Sequence, residues 1–219
     1  MIADLADRHG DGHVVVGRDQ DLLMRNVPID EVADVRAAVV ARGLALKGES
    51  ADAAVRACTG SSVCALGISP APEAGRTLLT TPGLRRNPSL RVHVSGCPNS
   101  CAQHQMADIG LAGTKVRTGG ATRLGFHLYL GADLAAGRVG ELVGRMAIDD
   151  TPSVIDAVIG TWEATRHPGE GLSATVERIG VGSFAATLEA VLADRWASGP
   201  EPPEGTAAVP PPERRSAVA

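Results

Sequence analysis

Aromatic side chains are almost missing from this sequence: two Trp, two Phe and one Tyr in 219 residues. A core built without them has to come from Val, Leu, Ile and Ala, and a nucleic acid finds few rings to stack on. The formal charge of −4 gives no general pull on a phosphate backbone either, so nucleic acid is excluded as the main partner. No stretch approaches the ~20 consecutive apolar residues a membrane span needs. The first residues, MIADLADRHGDGH, carry acids early and no apolar run, which is not a secretory leader. The expectation is a cytoplasmic protein with no membrane contact. Cysteine is scarce as well, with four in the chain. In a reducing compartment, clustered cysteines point to metal or redox chemistry before disulfides.

What is present is ordinary globular material, 44% apolar and 21% charged, long enough for one or two domains. Residues 13–16 (HVVV) and 22–27 (LLMRNV) read as two short strands around the Asp- and Gly-rich turn GRDQD. A helix follows in PIDEVADVRAAVVARG, with Val32, Val35 and Val39 on one face and Gly43 as its stop. Residues 1–48 thus form a small α/β unit too short to stand alone. Further on, 90–94 (LRVHV) and 126–130 (FHLYL) alternate as strands. TPSVIDAVIGTWEATRH opens with Thr-Pro, an N-cap and first helical position. Its Val154, Ile155, Val158, Ile159 and Trp162 make one apolar stripe. A last helix starts after Ser183, with Phe184, Leu188, Val191 and Leu192 facing inward. The segment 197–219 is proline-rich, has little to pack, and reads as a disordered tail.

The four cysteines fall in two pairs. ACTGSSVC places Cys58 and Cys64 at C-x5-C, and CPNSC places Cys97 and Cys101 at C-x3-C. Taken together, an x5 and an x3 pair match neither the two tight C-x2–4-C knuckles of a structural zinc site nor the bacterial or plant ferredoxin runs. Four thiolates can still hold one cluster if short loops bring the pairs together. Gly60, Ser61, Ser62, Gly96 and Ser100 are small, so backbone N–H groups can approach sulfur closely, one of the levers on cluster potential. The bland alternative is that Cys58 and Cys64 are small buried hydrophobes.

The combined wording, ACTGSSVC followed by VSGCPNSCAQHQMADIGLAG, resembles the sirohaem-dependent nitrite and sulfite reductases. GCPNSC followed by Gln, His and ADIG is close to a signature of the nitrite-reductase branch. GFHLYLGA, the GE of PGEG and the RIG of VERIG fall where that family has similar segments, and GRDQDLLMRNVP resembles its repeated ferredoxin-like half. The resemblance spans roughly residues 14–192. It implies an α+β chain: a ferredoxin-like half-domain over 1–48, a 4Fe-4S and sirohaem domain over 49–196, and the tail over 197–219. It also makes Cys58, Cys64, Cys97 and Cys101 the ligands of one 4Fe-4S cluster. Cys101 would also bridge to the sirohaem iron, with Asn99, Ser95 and Ala57 against the sirohaem and Gln20 as the retained glutamine of the half-repeat. The implied chemistry is six-electron reduction of nitrite or sulfite at an open axial position, with electrons supplied by ferredoxin or another donor.

Complete members of that family are longer, and their first half carries most of the Arg and Lys that hold the sirohaem carboxylates. Burying such carboxylates unpaired costs several kcal/mol each, so a second chain supplying the N-terminal half is an expected partner. Arg85, Arg86 and Arg91 before the CPNSC loop, and Lys115, Arg117 and Arg123 after it, are candidates for a basic rim, against a bland reading as solvated surface. His93 is expected to face away from Val92 and Val94. His104 is the better polar candidate near Cys101, its bland reading being a structural hydrogen bond, and Asp108 is expected to brace the loop. Three other readings stay open: a 4Fe-4S electron-transfer module without sirohaem, a precorrin-3B synthase-like oxygenase, and a structural zinc protein.

Overall fold

The computed structural model describes residues 1–17, 20–46, 54–118 and 120–198; of the tail expected over 197–219, Ala197 and Ser198 are instead the last residues of the final helix, and 199–219 lie outside the described residues. The chain begins with α1 (Ile2–His9), which the sequence reading did not identify although Leu5 and Ala6 form its buried stripe. A two-stranded antiparallel hairpin follows, β1 (Val14–Val16) with β2 (Leu22–Met24), and then α2 (Val32–Val40). The expected apolar face of α2 is corrected here. Only Val35 is buried, while Val32 is 42% exposed. The helix buries one position rather than a stripe.

The second unit is a five-stranded mixed sheet in the order β3-β4-β5-β6-β7. Its strands are β3 (Ala54–Ala57), β4 (Arg91–Ser95), β5 (Ile109–Thr118), β6 (Ala121–Leu130) and β7 (Glu141–Ala147). The first three run parallel, and the last two pair antiparallel. Between β3 and β4 the chain makes α3 (Gly60–Val63), α4 (Ala71–Leu78) and α5 (Pro82–Arg86). After β7 come α6 (Thr151–Thr165), α7 (Leu172–Ile179) and α8 (Val181–Ser198). The last helix starts two residues before the expected Ser183, since Gly180 at φ +77° breaks the chain between α7 and α8.

Side-chain alternation divides the sheet sharply. One face carries Val92, Val94, Ile109, Leu111, Phe126, Leu128 and Met146, all at or below 1% exposure, under Leu78, Ile155, Ile159 and Phe184 from the helices. Burying each such side chain contributes about 1.5–3 kcal/mol, and this face is the core. The α6 stripe expected from the sequence is buried in full. Capping side chains lock α5 against α6: Asp156 Oδ1 accepts from Gly83 N at 2.6 Å, and Glu163 binds both Arg86 and Asn87. The opposite face is polar. Arg56, His93, Gly110 and Tyr129 form one row across β3 to β6, and Ser95, Ala112, His127 and Arg145 form the next. Among the described residues no helix is long and apolar enough to cross a membrane.

Candidate iron–sulfur site

Because β3 and β4 are parallel, the segments leaving both strands emerge at the same edge of the sheet. Ala57 pairs with Val94, so Cys58 follows one strand as Gly96 and Cys97 follow the other. The two cysteine loops then bond to each other through backbone. Cys58 N donates to Val94 O at 3.0 Å, and Ile68 N and Ser69 N both donate to Gly96 O. Cys58 Sγ accepts the Gly96 N–H at 3.1 Å and the Gly60 N–H at 3.4 Å.

Glycine makes this contact possible. A Cβ on Gly96 would lie 2.6 Å from Gly60 Cα, and one on Gly60 would lie 2.5 Å from Ala71 N. On β5, a Cβ at Gly113 would come within 2.0 Å of Gly96 O. Three stretches of main chain are thus stacked without side chains between them.

The second loop, residues 96–108, crosses from β4 to β5 over the sheet edge. Ser100 and Gln103, on either side of Cys101, adopt φ +59° and +57°, a left-handed conformation uncommon for residues with a Cβ. The loop is held there by its neighbours on the polar face. Gln103 N donates to Ser100 O at 2.7 Å, His93 Nδ1 bonds Gln103 O at 3.0 Å, and Arg56 Nη1 donates to Gln103 Oε1 at 2.8 Å. Ser100 Oγ donates to Gln105 Oε1, and Ser95 Oγ, itself buried, accepts the Ala102 N–H at 3.3 Å. His93 lies on the polar face, opposite Val92 and Val94, as expected. Arg56→Met is expected to cost about 1 kcal/mol locally, read as a several-fold faster hydrogen exchange of the Ala102 and Gln103 amides. Unchanged exchange would mean that the Arg56–Gln103 bond holds nothing.

A short 3-10 turn, His104–Met106, lies on the sheet over Gly110, where a Cβ would sit 2.0 Å from His104 O. The His104 ring stacks obliquely on Tyr129, with centroids 4.9 Å apart. It is 1% exposed, and its Nδ1 has no hydrogen-bond partner among the described residues; the expected structural hydrogen bond is absent at that atom. Burial, reinforced by His127 and His93, pushes its pKa down to about 4. The unfolded chain therefore takes up this proton near pH 6.5, before the folded chain does. Stability is fully present above that pH and is lost as pH falls toward 4, by about 3 kcal/mol over the window. His104→Phe is expected to flatten this part of a denaturation–pH profile.

The sulfur atoms themselves are less gathered than the loops. All four cysteines are free thiols: Cys97 is buried, Cys58 half-buried, and Cys64 and Cys101 exposed. Among the described residues, no group of three or more His, Cys, Asp or Glu side chains stands ready around a metal ion. The residues nonetheless fit an iron–sulfur cluster in two respects. The donors are thiols with no imidazole or carboxylate between them in either loop, and backbone N–H groups already point at sulfur. Of the residues expected against a sirohaem, Asn99 is exposed beside Cys101, Ala57 is half-buried, and Ser95 acts through the Ala102 amide.

Gln20 reaches further than its place in the hairpin suggests. Its side-chain amide donates to Ala57 O at 2.6 Å and accepts from Ala57 N at 3.3 Å, tying the N-terminal unit to the residue before Cys58. The expected basic rim is corrected in part. Arg86 pairs with Glu163, and Arg91 is chelated by Asp108 at the opposite end of β4. Asp108 thus braces the start of that strand rather than the cysteine loop. Lys115, Arg117 and Arg123 do rise on the β5–β6 hairpin at the cysteine edge.

Parallel strands thus deliver two glycine-bounded cysteine pairs to one edge of the sheet. Residues 50–195 match the nitrite and sulphite reductase 4Fe-4S domain, and residues 1–42 match the nitrite/sulfite reductase ferredoxin-like half domain. The chain belongs to the nitrite and sulphite reductase family. It is 29% identical over 160 residues to a ferredoxin–nitrite reductase of Synechococcus elongatus, covering 70% of this chain and 31% of that protein. It is 30% identical over 187 residues to a sulfite reductase [ferredoxin] of Mycolicibacterium paratuberculosis, covering 77% and 32%. The solved NirA protein of Mycobacterium tuberculosis superposes with a TM-score of 0.72 at 27% identity, over 84% of this chain and 36% of that one. A dissimilatory sulfite reductase shares the fold at a TM-score of 0.64 and 15% identity, over 97% and 68%. The chain spans about a third of the length of these curated relatives.

Proposed function

We propose that this chain is the cluster- and sirohaem-binding portion of a cytoplasmic nitrite or sulfite reductase, working with a partner that supplies the other half of the sirohaem pocket. In this reading Cys58, Cys64, Cys97 and Cys101 hold one 4Fe-4S cluster, and Cys101, with Asn99, Ser95 and Ala57 nearby, faces the sirohaem. When bound, these groups would supply electron storage and an iron that takes nitrite or sulfite. The chain's own contribution is positional. The Gly60 and Gly96 amides stabilise charge on the Cys58 sulfur, and the Arg56–Gln103–His93 clamp sets where Cys101 stands.

The supporting observation is the Gly96 N–H on Cys58 Sγ, since it couples the two cysteine loops directly through the sulfur that would ligate iron. Anaerobic reconstitution with iron and sulfide, followed by a sirohaem titration, tests the reading. The expected result is a cluster absorption near four irons per chain that shifts when sirohaem is added with the partner half. A cluster indifferent to sirohaem would reduce the function to electron transfer alone. A colourless chain holding one zinc would overturn it.

A further inference from the structure

The end of the sheet opposite the cysteines holds a cavity of about 320 Å³ that the function proposed above leaves unused. Strand β4, five residues long, separates it from the cysteine loops by roughly 16 Å. Ser89 and Leu90 line it from the α5–β4 connection, Asp108 from the start of β5, and Trp162 and Arg166 from the end of α6. The loop 169–171 and Leu172, which opens α7, form the remaining wall. Ion pairing fixes that loop. Arg178 donates from Nε and Nη2 to the two oxygens of Glu170 at 2.8 and 2.6 Å, and from Nη2 to Thr165 O at 2.8 Å.

Donors gather around this cavity. Trp162 is 4% exposed, and its Nε1–H is buried with no hydrogen-bond partner among the described residues. Folded proteins pair nearly all such donors, and this one belongs to a side chain of the lining. Arg166 lies over the same indole, 4.4 Å from the ring centroid, and makes no ion pair among the described residues. The ring thus holds that charge at the rim where a carboxylate would otherwise hold it. Gly171 caps α7 with no side-chain bond. The first-turn N–H groups of Leu172, Ser173 and Ala174 are therefore open at the positive end of the helix dipole. The acids nearby are already neutralised. Asp108 is paired with Arg91, and Glu163 is held by Arg86 and Asn87. Arg178, with the His167 N–H, keeps the Glu170 pKa down to about 2.

A helix N-terminus, a fixed guanidinium and an indole N–H, set against the apolar walls of Leu90, Leu172 and the ring, select an anion with an apolar body. We propose that this cavity binds a small organic carboxylate. Its oxygens are taken by Trp162 Nε1–H, Arg166 and the first turn of α7, and its apolar part packs on Leu90 and Leu172. Binding is noncovalent and needs neither iron nor sirohaem, so the site stands or falls separately from the function proposed above.

The test titrates the full isotope-labelled chain with sodium benzoate, sodium acetate and inorganic phosphate in turn, and follows the N–H resonances. Sodium chloride raised alone over the same range is the control. Benzoate is expected to shift the Trp162 indole N–H and the Leu172, Ser173 and Ala174 amides together, in one saturable curve. Acetate, with no ring to bury, is expected to bind at least about tenfold more weakly. R166Q is expected to weaken benzoate binding about tenfold, while R8Q, which removes the same charge from α1, stays near wild type. W162F identifies the indole resonance, and because it keeps an aromatic ring but loses the N–H, the α7 amides should report weaker binding. Far-UV circular dichroism of each variant separates lost folding from lost binding. Absence of a saturable shift in wild type, equal shifts with chloride alone, or equal affinities of R166Q and R8Q would overturn the proposal. Phosphate binding as tightly as benzoate would also overturn it, giving the cavity to a free inorganic oxyanion.

Discussion

Replacing Gly113 by alanine is expected to destabilise the chain by about 3 kcal/mol, near the upper range for overpacking, although only one methyl group is added. The atoms that methyl would meet are main chain: Gly96 O at 2.0 Å, Gly96 C at 2.4 Å and Cys97 N at 3.1 Å. No flexible side chain can yield, so either β5 leaves β4 or the second cysteine loop lifts off the sheet. At this chain length the loss corresponds to a fall in Tm of about 6–12 °C. Gly160→Ala is the matched control. It lies inside α6 with nothing within 4 Å of a new Cβ, so alanine should raise stability by up to about 1 kcal/mol. If both variants melt at the wild-type temperature, Gly96 and Gly113 are not in contact.

Single serine substitutions at the four cysteines are expected to separate two roles. Serine keeps the size of the side chain but offers a poor ligand to iron–sulfur clusters. Under the proposed function, each variant should lose most of the reconstituted iron. Cys101→Ser should in addition disturb the sirohaem spectrum, because that sulfur faces both groups. Cys58→Ser should change the cluster signal alone and leave the sirohaem contact in place. An unchanged pair of spectra in Cys101→Ser would show that another residue occupies the bridging position. Cys58→Ser carries a second expectation: the Gly60 and Gly96 N–H groups both point at Sγ, so loosening there should appear as faster exchange at those two amides.

How much of this was legible in the sequence depends on whether burial produced a period. Helix α6 was, because Val154, Ile155, Val158, Ile159 and Trp162 recur at helical spacing and all face the core. Strand β4 was legible from the alternation of LRVHV. Strand β5, the centre of the sheet, was not read as a strand. In IGLAGTKVRT, positions 110 and 113 are glycines for close approach to His104 and Gly96, and these interrupt the alternation that would announce a strand. The start of β6 was missed for a related reason: residues 121–124 are all exposed on the overhanging hairpin, so no buried side chain marks the pattern. Helix α2 was legible as a helix, but its buried face was not. Its valines imitate an apolar face, but tertiary packing uses only Val35.

The candidate site divides in the same way. The cysteine pairs were visible from spacing and from the glycines and serines around them. The partners that shape the loop were not, because Arg56, His93 and Gln103 meet only through strand register and a left-handed turn. Gln20 could be named from its resemblance, but its contact with Ala57 comes from the fold. The basic residues show the limit most clearly. Arg91 and Lys115 looked equivalent in sequence, and the structure places one in a salt bridge with Asp108 and the other at the cysteine edge.

Iron and acid-labile sulfide counted per chain after anaerobic reconstitution, with wild type and the Cys58→Ser variant side by side, probes the core of this picture most directly. Close to four of each in wild type, falling sharply in the variant, is the expected outcome. Iron that binds equally well without the Cys58 thiol, or a wild-type chain that retains none, would contradict a cluster held between the two loops.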